Sequence, residues 1–175
     1  RAVLGQQITV AAARTLAQRL VQRCGTPITT PHAGLNRLFP SPAQLAAADT
    51  DTLGALGIVR QRQRAIQALA MAVDSGALRL GAGADVPATM AQLTALPGIG
   101  DWTAQYIAMR ALRWPDAFPA GDVALHNALG VRGGPNPARA AEARSQAWRP
   151  WRSYAVLRAW HTLPPASRPT SPTGE

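Results

Sequence analysis

The sequence predicts an all-α protein, and three observations carry that reading. Alanine and leucine dominate while aromatic residues make up only 5% of the chain, a balance that favours helices over sheets. Apolar residues recur at helical spacing in segments that end at glycines. No segment alternates convincingly enough to read as a strand, and no fixed-period repeat or heptad is present. At 175 residues the chain is long enough for one domain, or two small lobes, with a real core.

The elements follow in order. Ile8 to Cys24 places Ile8, Ala12, Leu16, Leu20, Val21 and Cys24 on one helical face, and Gly25 stops it. Thr26 to Pro40 reads as a loop by its prolines. "SPAQLAAAD" starts a short helix, with Ser41 as N-cap, Pro42 at the first helical position and Gln44 placed for a capping box. "DTLGALGI" makes another short helix and a turn. Arg60 to Ser75 is amphipathic, with Ile66, Leu69, Ala70 and Val73 inward and Gly76 as the stop. "GAGADVP" is a loop. Thr89–Ala95 and Asp101–Leu112 are helices joined by "LPGIG". Asp122–Leu129 is a short helix followed by the loop "GVRGGPNP". Ala138–Trp148 and Arg149–His161 complete the set, with Pro150 in a tolerated first-turn position. From Pro164 onward, "PPASRPTSPTGE" reads as a disordered tail, leaving 1–163 as the folded domain.

The formal net charge is +9. A basic domain with no apolar run of membrane-spanning length and no signal peptide points to nucleic acid before lipid. The counter-reading is an arginine-rich composition inherited from a high-GC genome, because all 18 basic residues are arginine. Cys24, the single cysteine, excludes an intrachain disulfide, a cysteine-ligated zinc and a four-cysteine iron–sulfur cluster. Its place on an apolar face predicts buried packing, and a reducing cytoplasm is the expected compartment. "AVLGQQITVAAARTLAQRL" at the start reads as the middle of a larger protein, so a fragment is expected.

The stretch "LPGIGDWTAQYIAMRALRWPDAFPAGD" carries the chemistry. Gly98 and Gly100 allow backbone angles that other residues resist, and the bare turn lets N–H groups face an anion. The helix that follows adds the positive end of its dipole. A DNA phosphate is the natural occupant, and such a contact positions without reading sequence. Taken alone, the motif is equally an ordinary tight helix–helix turn.

The surroundings separate the two readings. "LPGIGDWTAQYIAMRAL" followed by "FPAGDVALHNALG" resembles the helix-hairpin-helix-Gly/Pro-Asp superfamily of DNA base-excision glycosylases. "AVLGQQITVAA", "LAAADTDTLGALGI" and "WRPWRSYAVLRAWH" resemble its AlkA-like 3-methyladenine DNA glycosylase II branch, so the likeness runs from residue 1 to about 162. The resemblance implies a helix-hairpin-helix glycosylase fold with two helical lobes flanking an active-site cleft. It also implies a monomer, associated with the bacterial nucleoid in the cytoplasm, acting on double-stranded DNA that contains damaged bases. Two departures stand out. Asp101 follows the hairpin where relatives often carry a basic residue, a carboxylate that can instead cap the helix. The mixed β lobe that precedes this domain in such relatives is not among these 175 residues, in line with the expected fragment.

The resemblance assigns catalysis to Asp122. Breaking an N-glycosidic bond develops positive charge on the sugar, which a carboxylate stabilises while it orients water. The plainer reading of Asp122 is the N-cap of "DVALHNAL", and the two are compatible. Bifunctional relatives use a lysine amine two residues after the second hairpin glycine. Here that position is Trp102, and the chain contains no lysine, so water is the expected nucleophile. Trp102 and Tyr106 share a helix face, and the resemblance places them with Trp160 in the base pocket, with His161 at its border. Electron-rich rings suit cationic bases such as 3-methyladenine and 7-methylguanine. Core packing is the competing role for these aromatics, and packing is the expected role of Trp114, Trp148, Trp151 and Tyr154. Gln7 is the candidate wedge that fills the gap left by a flipped base, and Gln6 a neighbouring contact. A local hydrogen-bond network around them is the alternative. Pro97, Gly98, Gly100 and Thr103 are the expected DNA-contacting residues of the hairpin. The family also often holds Na⁺ or K⁺ on hairpin carbonyls, here those of Thr94, Leu96 and Ile99; no other cofactor is expected. The other functions weighed are a glycosylase for deaminated bases and a non-catalytic DNA-binding module of a larger adaptive-response protein.

Overall fold

The computed structural model describes residues 1–163; the expected tail at 164–175 lies outside them. The described residues are helical, with a single isolated bridge between Pro27 and Arg37 inside the proline-rich loop. No helix among them is long and apolar enough to cross a membrane. The chain divides into two compact units, Arg1–Trp114 and Pro115 onward.

The first unit holds α1 (Val10–Cys24), α2 (Pro42–Ala47), α3 (Thr50–Ala55), α4 (Arg60–Asp74), α5 (Val86–Thr94) and α6 (Asp101–Arg110). Leu16 and Leu20 of α1, Leu53 of α3, Ala65 and Ile66 of α4, Leu93 of α5 and Ile107 of α6 share one core. Helix α2 packs on α4, and α5 on α6. The capping box at Ser41 and Gln44 is fully made. Cys24 is half-buried, and burial pushes its thiol up, away from reactivity.

Several boundaries differ from the sequence reading, each for a local reason. Helix α1 begins at Val10, because Gln7 sits in the left-handed region (φ 54°) and Thr9 caps the helix through the Ala12 N–H. Ala12 is therefore exposed rather than inward. Helix α5 starts three residues before Thr89: the Asp85 carboxylate caps it, and Pro87 sits in its first turn, where no N–H is needed.

The second unit holds α7 (Val123–Ala128), α8 (Pro137–Ser145) and α9 (Arg152–Thr162). Helix α8 tightens into a short 3₁₀ turn at Gln146–Trp148. Pro150 precedes α9 rather than opening it; Arg149 before it is extended, the conformation a following proline favours. Leu125, Val156, Ala141 and Phe118 are fully or nearly fully buried, and Trp148 packs against Phe118 at 6.3 Å. Trp151 and Tyr154 are not core residues. They are 58% and 62% exposed and meet edge-on at the surface.

Beneath the start of α9 lies a buried ion cluster. Arg152, with 6% of its side chain exposed, donates Nε to Asp116 Oδ1 at 2.7 Å and Nη2 to Oδ2 at 2.9 Å. Its Nη2 also reaches the Asp116 carbonyl, and Nη1 reaches Glu142. Arg149 adds a second guanidinium to Asp116 at 2.7 Å. Ser153 bonds Pro115 and Ala117 through its N–H and hydroxyl. These bonds seat α9 on the turn at Pro115–Asp116 that leads into Phe118–Asp122.

Candidate active site

In the first unit the α5–α6 hairpin exposes Pro97, Gly98 and Gly100 while burying Ile99 beneath them. The two glycines have different reasons to be there. Gly98 has φ +75°, and a Cβ on it would lie 3.0 Å from the Ala65 Cβ, so both conformation and the approach of α4 demand it. Gly100 is the N-cap of α6 in ordinary extended backbone (φ −92°), and a Cβ would meet nothing within 4 Å. What Gly100 contributes is open space before the N–H groups of the first turn of α6, which have no carbonyl partner within the helix. Asp101 is the first helical residue rather than the cap. Its carboxylate takes a long 3.5 Å bond from Gln105.

Gln6 ties the start of the chain to this hairpin. Its Nε2 donates to the Gly98 carbonyl at 2.8 Å and to the Thr103 hydroxyl at 2.9 Å. Thr103 is only 3% exposed, so its hydroxyl faces inward to Gln6, and the group it offers at the helix start is its N–H. Arg62 of α4 donates to the Gln6 carbonyl at 2.5 Å, immediately before the exposed, left-handed Gln7. A non-glycine residue with positive φ is uncommon and must be held there by its surroundings. Arg62 was not legible as part of this arrangement, because its partner is a backbone oxygen far away in sequence.

Trp102 and Tyr106 stack at 5.3 Å with their planes 21° apart, and the Arg110 guanidinium lies 5.8 Å from the Tyr106 centroid. Both rings are half-buried. The carbonyls of Thr94, Leu96 and Ile99 flank the hairpin, and that of Leu96 accepts the Ile99 N–H at 3.2 Å. Among the described residues no three His, Cys, Asp or Glu side chains gather as a metal site would need.

In the second unit Asp122 is buried at 9% exposure and caps α7. Its Oδ1 accepts the Leu125 N–H at 2.6 Å and the Trp160 Nε1–H at 3.0 Å, and its own N–H bonds the Pro119 carbonyl at 2.9 Å. Three separate bonds therefore fix backbone and carboxylate together. Trp160 is half-buried with its indole edge directed at that carboxylate, while His161 is exposed and bonds back to Leu157.

The helix-hairpin-helix-Gly/Pro-Asp motif has a direct counterpart in a known protein family. A model of the HhH-GPD superfamily, base excision DNA repair proteins, matches residues 1–153. The chain is 47% identical over 163 residues to the "Probable bifunctional transcriptional activator/DNA repair enzyme AlkA" of Mycobacterium tuberculosis, covering 93% of this chain and 32% of that protein. It is 38% identical over 162 residues to the DNA-3-methyladenine glycosylase 2 of Escherichia coli, covering 93% and 55% respectively. The chain thus spans between about a third and just over half of these curated relatives. Among solved structures it is similar to a DNA-3-methyladenine glycosidase from Bacillus halodurans, with a TM-score of 0.67 and 27% identity over 91% of this chain and 70% of that one. It also shares its fold with the Archaeoglobus fulgidus 3-methyladenine DNA-glycosylase, with a TM-score of 0.76 and 22% identity over 91% and 55%. With the family match running through both the hairpin and Asp122, this chain belongs to the HhH-GPD superfamily of base excision DNA repair proteins.

Proposed function

We propose that this chain is the catalytic domain of a monofunctional DNA glycosylase that removes alkylated bases of the 3-methyladenine and 7-methylguanine type. The observation that carries the reading is Asp122. It is a carboxylate at the end of a Gly/Pro-rich segment, aimed by Leu125 and Trp160. The names of two similar proteins, a DNA-3-methyladenine glycosylase 2 and a DNA-3-methyladenine glycosidase, support the reading.

In this reading the hairpin grips a backbone phosphate through the N–H groups around Gly100 and the positive end of α6. Gln7, exposed and held in the left-handed region directly after the carbonyl that Arg62 grips, enters the stack as the target nucleotide leaves it. The Trp102–Tyr106 pair supplies an electron-rich stacking surface for a cationic base. As the C1′–N bond lengthens, its electron pair departs with the base and the sugar becomes cationic. The Asp122 carboxylate stabilises that charge and orients a water, whose oxygen bonds to C1′ while its proton is lost to the carboxylate. The products are a free base and an abasic site. The carbonyls of Thr94, Leu96 and Ile99 suit Na⁺ or K⁺: they are neutral oxygens, and that of Thr94 lies in the last turn of α5, where carbonyls lack helical partners. Such an ion, when bound, would add positive charge beside the phosphate site.

Release of free base from methylated duplex DNA tests the reading directly; a folded protein that releases none removes it. Strand cleavage is not expected to accompany release, because the chain has no lysine. Borohydride added during turnover should trap no protein–DNA adduct once the α-amino group of Arg1 is blocked. A trapped adduct would replace water with an amine as nucleophile.

The hairpin glycines give a paired expectation. Gly98→Ala should destabilise the fold by about 1–2 kcal/mol, since alanine pays for the left-handed backbone and crowds Ala65. Gly100→Ala should melt like the parent yet weaken duplex binding several-fold, by placing a methyl where the phosphate rests. Thermal melts and binding titrations separate the two; equal effects on both measures would deny Gly100 its place at the phosphate.

A further inference from the structure

His126 is a buried titratable side chain that the proposed mechanism leaves unused. It lies on α7, one turn after Asp122, at 8% exposure. Its Nε2 is 2.6 Å from the Ala120 carbonyl oxygen. A carbonyl only accepts, so Nε2 is the nitrogen that carries the proton. The His126 N–H also donates to the Asp122 carbonyl at 2.9 Å. One residue therefore holds the carbonyls on both sides of Gly121.

That joint has reason to be held. Gly121 is exposed, a Cβ there would meet nothing within 4 Å, and its backbone lies outside the left-handed region. Neither space nor backbone angle requires glycine, so its effect is a soft link directly before the carboxylate. The turn's own bonds, Ala120 N–H to Phe118 and Asp122 N–H to Pro119, secure its amides. The Ala120 carbonyl is secured from α7, by the imidazole.

We infer that His126 is a positioning residue of base excision, clamping the Ala120–Gly121–Asp122 turn through its side chain and its main chain so that the Asp122 carboxylate stays aimed. The inference rests on the reading of Asp122 as the catalytic carboxylate. It adds that the geometry is maintained by a hydrogen bond that never touches substrate. The aim of a reacting group matters steeply, since a displacement of about 1 Å costs on the order of 100-fold in rate.

The test uses the whole chain on methylated duplex DNA under single-turnover conditions, with binding to an abasic-site analogue and thermal melting in parallel. His126→Leu fills the site without a donor; His126→Gln places an amide N–H where Nε2 stood. The expected result is a plateau excision rate lowered about 10- to 100-fold in His126→Leu, with analogue affinity within a few-fold of the parent. His126→Gln should recover most of the rate. A residue that only supports the fold would lower the melting temperature of both variants and leave the plateau rate of the folded enzyme alone. Parental rates in folded His126→Leu, or no recovery in His126→Gln, overturn the inference. Should His126→Leu not fold, His126→Asn replaces it, its amide being one bond too short to reach Ala120, and the same comparison decides. Asp122→Asn run beside these separates the two levels. An active Asp122→Asn removes the catalytic reading itself, whereas an inert Asp122→Asn with a fast His126→Leu removes only the positioning role.

Discussion

Asp122→Asn is expected to lower single-turnover base release by roughly 10²- to 10⁴-fold or more, the range lost when a positioned acid–base or charge-stabilising group is removed. The choice of asparagine matters. Asp122 is also the N-cap of α7, and asparagine caps as well as aspartate. Its side-chain oxygen can still accept from Leu125 and from the Trp160 indole, so the bonds at 2.6 and 3.0 Å survive. The substitution thus deletes the negative charge while keeping the cap and the indole bond, and melting should move only slightly. Asp122→Ala, by contrast, loses the cap, at about 1 kcal/mol, and mixes stability with chemistry. Binding to an abasic-site analogue should remain near the parental value for asparagine. Near-normal excision by Asp122→Asn would reduce this residue to a helix cap.

The largest effect on stability is expected at Arg152. Arg152→Met leaves Asp116 buried with only the half-exposed Arg149 for a partner. Breaking a buried pair from one side costs about 3–5 kcal/mol, a large share of the roughly 5–15 kcal/mol that holds a typical domain. Burial by itself raises the Asp116 carboxyl, but the hydrogen bonds and charge of Arg152, with the charge of Arg149, outweigh it and hold the group below its ordinary range. The sign of the pH dependence follows. A carboxylate with a depressed folded pKa contributes stability that is fully present above its unfolded value, about 4, and is lost as pH falls through the folded one. Denaturant melts of the parent should weaken as pH drops below about 4. Arg152→Met should already be weak at neutral pH and change less on acidification. The double variant Arg152→Met/Asp116→Leu should recover part of the loss, because no charge is then left buried. Equal acid sensitivity in parent and Arg152→Met would assign the acid response to other carboxylates.

By itself the sequence determined the features whose causes are local. Helical periodicity, the Ser41–Gln44 box, the PGxG turn and the Asp122 cap each depend on residues within a turn of one another, so backbone conformation and capping chemistry settle them without the rest of the chain. The family resemblance rests on the same short motifs. Tertiary structure decided which polar side chains are spent inside the protein. Gln6 is committed to Gly98 and Thr103, Arg62 to Gln6, Trp160 to Asp122, and Arg152 to Asp116, across separations of 36 to 97 residues. An arginine in "WRPWRSY" reads the same whether it meets phosphate or a buried aspartate. Trp151 and Trp160 are likewise alike in type, yet one lies open at the surface and the other aims a carboxylate. The physical reason is that a hydrogen bond is chosen by which donors and acceptors are desolvated together, and only the packed chain decides which groups leave water side by side.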